Sequence, residues 1–323
     1  MNKKLGFIAI ALVTIFLVPL TFILLQPDMI ISKEQAKKEL SSPASHFITW
    51  RNAEVHYTDE GSGFPVLMIH GFGGSYTNFN ELAALMKDKY RVVRIDLPGF
   101  GLSDFPAVNE NENYLQDYRD YISFILDTLH LDSVYVIGNS MGGAATWMTA
   151  IDHPDKVRKI VLLDPAGYDS EKIAGNLMMF KFKSVRQMFN KGMPMFMSRE
   201  GARRTFFKDD SIPAEFILRN NRFTNRDGNI AHMLNLATSN QFPDESLIGK
   251  VTLPTLIIWG KQDEIIPVDH AERFHQAIKG SKVEIIDQCG HCPMMEEPVK
   301  TRDLVEQFFN PVTDSVSTSS TIK

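Results

Sequence analysis

Residues 134–143 read Val134-Tyr-Val-Ile-Gly-Asn-Ser-Met-Gly-Gly143. Four apolar residues, two of them valine, run up to a glycine. That is the pattern of a short buried strand. From Gly142 to Ile151 the spacing becomes helical. Between the two lies G-x-S-x-G, which demands a sharp turn. Gly138 and Gly142 leave room where a side chain would crowd the backbone. Ser140 falls at the tip of the turn, at the start of the following helix. A serine there can simply cap the helix. It can also be a nucleophile, but only beside a base.

The same alternation extends in both directions. Phe47-Ile-Thr-Trp50 and Ala53-Glu-Val-His-Tyr57 flank Arg51-Asn52 and predict an opening hairpin. Short apolar runs follow at Val66–Ile69, Arg91–Ile95, Lys159–Leu163, Thr255–Trp259 and Lys282–Ile286. Helical patterns separate them at Asn80–Lys87, Tyr114–Leu129, His270–Ile278 and Glu297–Phe309. The order predicts an α/β fold with a mostly parallel sheet covered on both faces. It breaks between Gly167 and Lys250, where no strand pattern stands out. Met178, Met179, Met188, Met193, Met195, Met197 and Met233 fall there, among many phenylalanines. Most read as ordinary helical core, and a pliable apolar pocket is the functional alternative.

Four further loops follow predicted strands. His70-Gly-Phe-Gly-Gly74 can turn backbone amides toward a developing oxyanion, with the Phe72 and Met141 N–H groups as the pair. His70 reads as a loop-holding residue, and so does Asp96 in Asp96-Leu-Pro-Gly-Phe-Gly-Leu-Ser-Asp104. Trp259-Gly-Lys-Gln-Asp263 offers an acid to orient an imidazole, with Asp164 as its rival. Gly290-His291-Cys-Pro-Met-Met-Glu-Glu-Pro298 offers the base. Ser140, Asp263 and His291 follow one another in the order nucleophile, acid, base.

On these stretches the chain resembles the α/β-hydrolase superfamily over roughly residues 47–309, and in particular bacterial lipases and membrane-anchored monoacylglycerol lipases. The resemblance implies an α/β-hydrolase fold: a mostly parallel eight-stranded sheet with a helical cap inserted after the sixth strand. It puts Ser140, Asp263 and His291 on the triad positions. The resulting division is a membrane anchor at 1–26, a linker at 27–45, hydrolase core at 46–166, cap at 167–250, core again at 251–310 and a disordered tail at 311–323. The expected activity is hydrolysis of carboxylic esters, lipid-like ones such as monoacylglycerols, through an acyl-enzyme. The alternative is a carbon–carbon bond hydrolase of the aromatic ring-cleavage type, whose members also favour Gly-Asn-Ser-Met-Gly-Gly. Such an enzyme needs cations for its acid substrate, and Arg199, Arg203, Arg204 and Arg222 are available. No metal or organic cofactor is expected.

Composition narrows the rest. A mild net charge of −5 and no basic run argue against nucleic acid as a partner. The two cysteines, Cys289 and Cys292, flank His291 as C-x-x-C. A thioredoxin-like βαβ context is missing, and a zinc site would need further ligands. Leu5–Leu25 carries no charge and as a helix would span roughly 30 Å, a bilayer's hydrocarbon core. It reads as a retained anchor rather than a cleaved leader. Lys3 and Lys4 precede it, so the N-terminus is expected inside and the catalytic part outside the cytoplasm, on the periplasmic side.

Overall fold

The computed structural model describes residues 27–106, 113–169, 181–208, 212–239 and 241–310. The expected anchor and the expected tail lie outside these residues. Among the described residues, no helix is long and apolar enough to cross a membrane.

The chain order is α1 (Lys33–Leu40), β1 (Ser45–Trp50), β2 (Ala53–Glu60), β3 (Phe64–Ile69), α2 (Asn80–Met86), β4 (Tyr90–Ile95), α3 (Tyr114–Thr128), β5 (Val134–Asn139), α4 (Met141–Asp152) and β6 (Val157–Leu163). Among the described residues, the helices that follow are α5 (Lys183–Gln187), α6 (Met195–Thr205), α7 (Ala214–Thr224) and α8 (Asn229–Thr238). The chain closes with β7 (Thr255–Gly260), α9 (His270–Ala277), β8 (Lys282–Ile286), α10 (Pro293–Glu296) and α11 (Pro298–Phe309).

The eight strands form one sheet in the order β1-β2-β4-β3-β5-β6-β7-β8. β1 and β2 pair antiparallel, as do β2 and β4, and every other pairing is parallel. The hairpin turn is Arg51-Asn52, with φ of 47° and 65°. Two successive positive φ values give the twist that a two-residue hairpin requires.

The apolar runs are continuous because both sheet faces are covered. Leu67, Ile69, Val136, Ile160, Leu162, Ile257 and Trp259 point into one core, with residues of α3, α4 and α9. Their neighbours Val66, Met68, Ile137, Val161, Leu163 and Ile258 point into the other, with α2 and α11. Successive side chains of a strand alternate faces, so a strand buried on both sides shows no polar alternation.

The stretch read as a linker is structured. In α1, Ala36 and Leu40 are buried against Tyr76, Leu102 and Phe223, and Ser32 caps the helix by accepting from the Gln35 amide. Its polar sequence hid a helix with one narrow apolar face. Just before it, the Met29 amide donates to Lys191 O and the Ile31 amide to Asn225 O. This segment is therefore pinned to the helices between β6 and β7. Within those helices Phe189, Met193, Ile230 and Leu234 form a small core, with Met188, Met197 and Met233 packed around it.

Candidate active site

All the loops singled out in the sequence leave the carboxyl ends of parallel strands, where ligands gather in open α/β sheets. Ser140 follows β5 with φ 56° and ψ −120°. A non-glycine residue held at such angles is strained, and strain of this kind persists only when its surroundings impose it. Here they do. A Cβ on Gly138 would overlap the Gly142 carbonyl, one on Gly142 would overlap the Ile69 carbonyl, and one on Gly143 would lie 2.7 Å from Pro165 Cβ. The turn is pressed between β3 and the chain after β6, and only glycine fits on either side of the serine.

His291 and Asp263 meet. His291 Nδ1 lies 2.7 Å from Asp263 Oδ2, and the two residues are 5% and 9% exposed. The other carboxylate oxygen, Oδ1, accepts from the Ile265 and Ile266 amides at 2.7 and 3.0 Å. The carboxylate is thus fixed from both sides. It holds the proton on Nδ1 and leaves Nε2 as the basic atom. Among the described residues, no hydrogen bond joins the Ser140 hydroxyl to this ring. Asn139 brings the two to one edge: its Nδ2 donates to His291 O at 2.9 Å and to Leu163 O at 3.1 Å. Serine–base contacts are often loose without substrate and tighten when it binds.

Phe72 and Met141, whose amides are the expected oxyanion pair, both lie beside the Ser140 turn. Gly71 runs so close to Ser140 that a Cβ there would lie 2.9 Å from the serine Cβ. The Phe72 amide follows directly. Met141 opens α4, so its amide has no partner in the helix. Among the described residues, neither amide donates a hydrogen bond within the chain. His70 holds the loop. Its Nδ1 donates to Gly71 O at 2.7 Å, and its Nε2 accepts from the Leu97 amide at 3.0 Å. Burial lowers its pKa, which suits this neutral tautomer. Asp96 holds the neighbouring loop, accepting from the Tyr76 and Leu102 amides and from His56 Nδ1.

Carboxylate oxygens of Asp164 and Asp263 and a ring nitrogen of His291 lie within 4.8 Å of one another. Proximity alone does not make this a cation site. His291 Nδ1 and Asp263 Oδ2 already bind each other, and Asp263 Oδ1 already accepts two amides.

A family model for the alpha/beta hydrolase fold matches residues 65–298. The chain is an α/β hydrolase. It is 27% identical over 285 residues to the 2-hydroxy-6-oxo-6-phenylhexa-2,4-dienoate hydrolase of Burkholderia cepacia, a match covering 80% of this chain and 94% of that one. Among solved structures it is similar to a meta-cleavage product hydrolase from Pseudomonas fluorescens, with a TM-score of 0.67, 26% identity and coverage of 82% and 97%. It also shares its fold with a bacterial membrane phospholipase A, with a TM-score of 0.69, 24% identity and coverage of 95% and 96%.

In this hydrolase the cysteines beside His291 are free and buried, at 0% and 3% exposure. Both pack with α2 and α11, and burial pushes both thiols upward from the ordinary range. A thiol held in its neutral form is a poor nucleophile and a poor metal ligand. The pair packs the loop.

Glu296 gave no signal in the sequence beyond its place after the histidine. Its Oε1 accepts from the Gly290 and Cys292 amides at 3.0 and 3.3 Å, and its Oε2 accepts from the Phe207 amide at 2.8 Å. The His291 amide itself donates to Thr205 O at 2.8 Å. The end of α6 is therefore tied to both sides of the histidine. Glu296→Ala removes three hydrogen bonds at once. Steady-state kinetics should show kcat/KM reduced about 10- to 100-fold, because small displacements of a reacting group carry costs of that order.

Beside Asp263 opens a cleft of about 720 Å³, lined by Arg203, Arg204, Phe206, Phe207, Gln262 and Glu264 among others. Glu200 lines it too and lies 3.9 Å from Arg203 and 3.8 Å from Arg204, so the two cations share the cleft with the carboxylates of Glu200, Asp263 and Glu264.

Proposed function

We propose that this hydrolase cleaves a carbonyl substrate with Ser140 as nucleophile, His291 as general base and acid, and Asp263 as the orienting carboxylate. The observation that carries this reading is the 2.7 Å His291–Asp263 bond at the strand edge that also bears the strained serine. In the first step Ser140 Oγ adds to the carbonyl carbon while His291 Nε2 takes the hydroxyl proton. The Phe72 and Met141 amides hold the oxyanion. Collapse expels the leaving group, which takes the proton from His291. Water activated by the same ring then frees the acid.

For the scissile bond we propose the carbon–carbon bond of a dienoate-type keto acid. The supporting observation is that the chain is 26–30% identical, over most of its length, to hydrolases of 2-hydroxy-6-oxo dienoates and dienedioates. A carbon leaving group needs an electron sink within the substrate, and an acid substrate needs cations to hold it. Arg203 and Arg204, on the cleft beside Asp263, are the cations nearest that loop, and a substrate acid would share them with Glu200. A second reading, hydrolysis of lipid-like esters at a membrane surface, rests on two observations. One is the uncharged run Leu5–Leu25, followed by a segment pinned to the cap at Lys191 and Asn225. The other is the cap's exposed Phe182, Phe196 and Leu218.

The test sets a 2-hydroxy-6-oxo dienoate against acylglycerols of graded chain length, using the full chain in detergent. A kcat/KM for the dienoate more than about 10-fold above the best ester supports the first reading, since discrimination is a ratio of these constants. The reverse ratio replaces it with the second.

A further inference from the structure

The triad uses one acid, yet a second carboxyl stands behind it. Asp164 follows β6, with φ 43° and no exposed surface. Its Oδ1 accepts from the Gly260 amide at 2.8 Å, at the end of β7. Its Oδ2 is buried and has no partner among the described residues. The site's own atoms are the nearest chemistry, since Asp263 and His291 lie within the 4.8 Å cluster.

An ionised Asp164 would bury a negative charge with one oxygen unsatisfied, next to a second carboxylate. Both conditions are costly. A proton on Oδ2 removes the charge and turns that oxygen into a donor facing the acid cluster.

We propose that Asp164 is a positioning residue of the active site: a neutral second carboxyl that leaves Asp263 the single negative charge facing His291, and that takes over the orienting role when Asp263 cannot ionise. The proposal rests on the triad reading given above. The groups around Asp164 agree with it. Asp263, Glu296 and the thiols of Cys289 and Cys292 supply no positive charge, and His291 is already paired with Asp263. Burial first, and the Asp263 charge second, raise the Asp164 carboxyl well above the ordinary carboxylate range.

The test is a double-mutant cycle in kcat/KM with Asp164→Asn, Asp263→Asn and the double variant, with Ser140→Ala alongside. Asparagine mimics a protonated aspartate, so Asp164→Asn alone should lose only about 3-fold. In Asp263→Asn the remaining acid is Asp164, and its residual activity should rise with pH as that acid ionises. The double variant should fall a further 100-fold or so and lose that pH limb, a coupling far outside additive behaviour. Equal activity of Asp263→Asn and the double variant overturns the proposal, as does an additive cycle. If Ser140→Ala stays active, the triad reading itself fails, which the cycle would not show.

Should the double variant not fold, stability against pH decides. A raised folded-state pKa gives stability that is complete below the unfolded value, near 3.9, and is lost as pH rises toward the folded value. Asp164→Asn should abolish that loss, so its stability relative to the parent should climb with pH. A difference flat from about pH 5 to 9 overturns the proposal.

Discussion

Ser140→Ala is expected to lower kcat by about 10⁴-fold or more while leaving the unfolding curve unchanged. The first half follows from the role: without Oγ there is no covalent step, and what remains is binding plus whatever the Phe72 and Met141 amides contribute. The second half follows from the turn. Among the described residues, the serine side chain makes no hydrogen bond that alanine would lose. The strain at φ 56° comes from the backbone and is shared by both residues. A fluorophosphonate should label the parent chain at Ser140 and leave the variant unlabelled. This separates the hydrolase from a catalytically silent member of the same fold, which would keep its stability and never react. Retained turnover in the alanine variant would remove Ser140 from the mechanism whatever the substrate.

β3, β5, β6 and β7 were legible because burial on both faces leaves an unbroken apolar run, and a glycine marks or closely follows the end of each. The elbow was legible because steric exclusion on both sides of Ser140 can be met only by glycine. His291 was legible once it stood after a strand, although the flanking cysteines pointed toward thiol chemistry. Their burial, invisible in a tetrapeptide, makes them packing residues.

The contacts that join distant residues were not legible. Asn139 reaches His291 across 152 positions, and Glu296 reaches Phe207 across 89. Neither pair leaves a local period or composition to read. The helix Lys33–Leu40 leaves little trace in the sequence for a related reason. Two of its side chains are buried, and the partners that bury them lie in the chain near residues 76, 102 and 223. Asp164 and Asp263 could be ranked from sequence as rivals. Their placement side by side, with His291 bonded to only one, needed three dimensions.

Gly142→Ala should damage fold and chemistry together. The added Cβ would overlap the Ile69 carbonyl oxygen, which belongs to the backbone of β3 and cannot rotate away. Relief requires α4 and β3 to part in the middle of the sheet. Overpacking at a rigid site costs about 3 kcal/mol, a large share of a typical domain's stability. In urea the midpoint should fall with little change in slope, the signature of lost stability without a change in the surface exposed. The same movement displaces the Met141 amide, so the folded fraction should also turn over more slowly. Losing one oxyanion donor costs about 10²–10³ in kcat.

Gly201→Ala supplies the contrast. Gly201 lies inside α6, and a Cβ there meets nothing within 4 Å. Alanine should stabilise that helix by about 0.5–1 kcal/mol, because glycine loses more backbone freedom on folding. The same substitution, with the same loss of unfolded-state entropy, should therefore have opposite signs at the two sites. A Gly142→Ala variant as stable and active as its parent would mean that α4 and β3 have slack between them. The elbow would then owe its shape to something other than close packing.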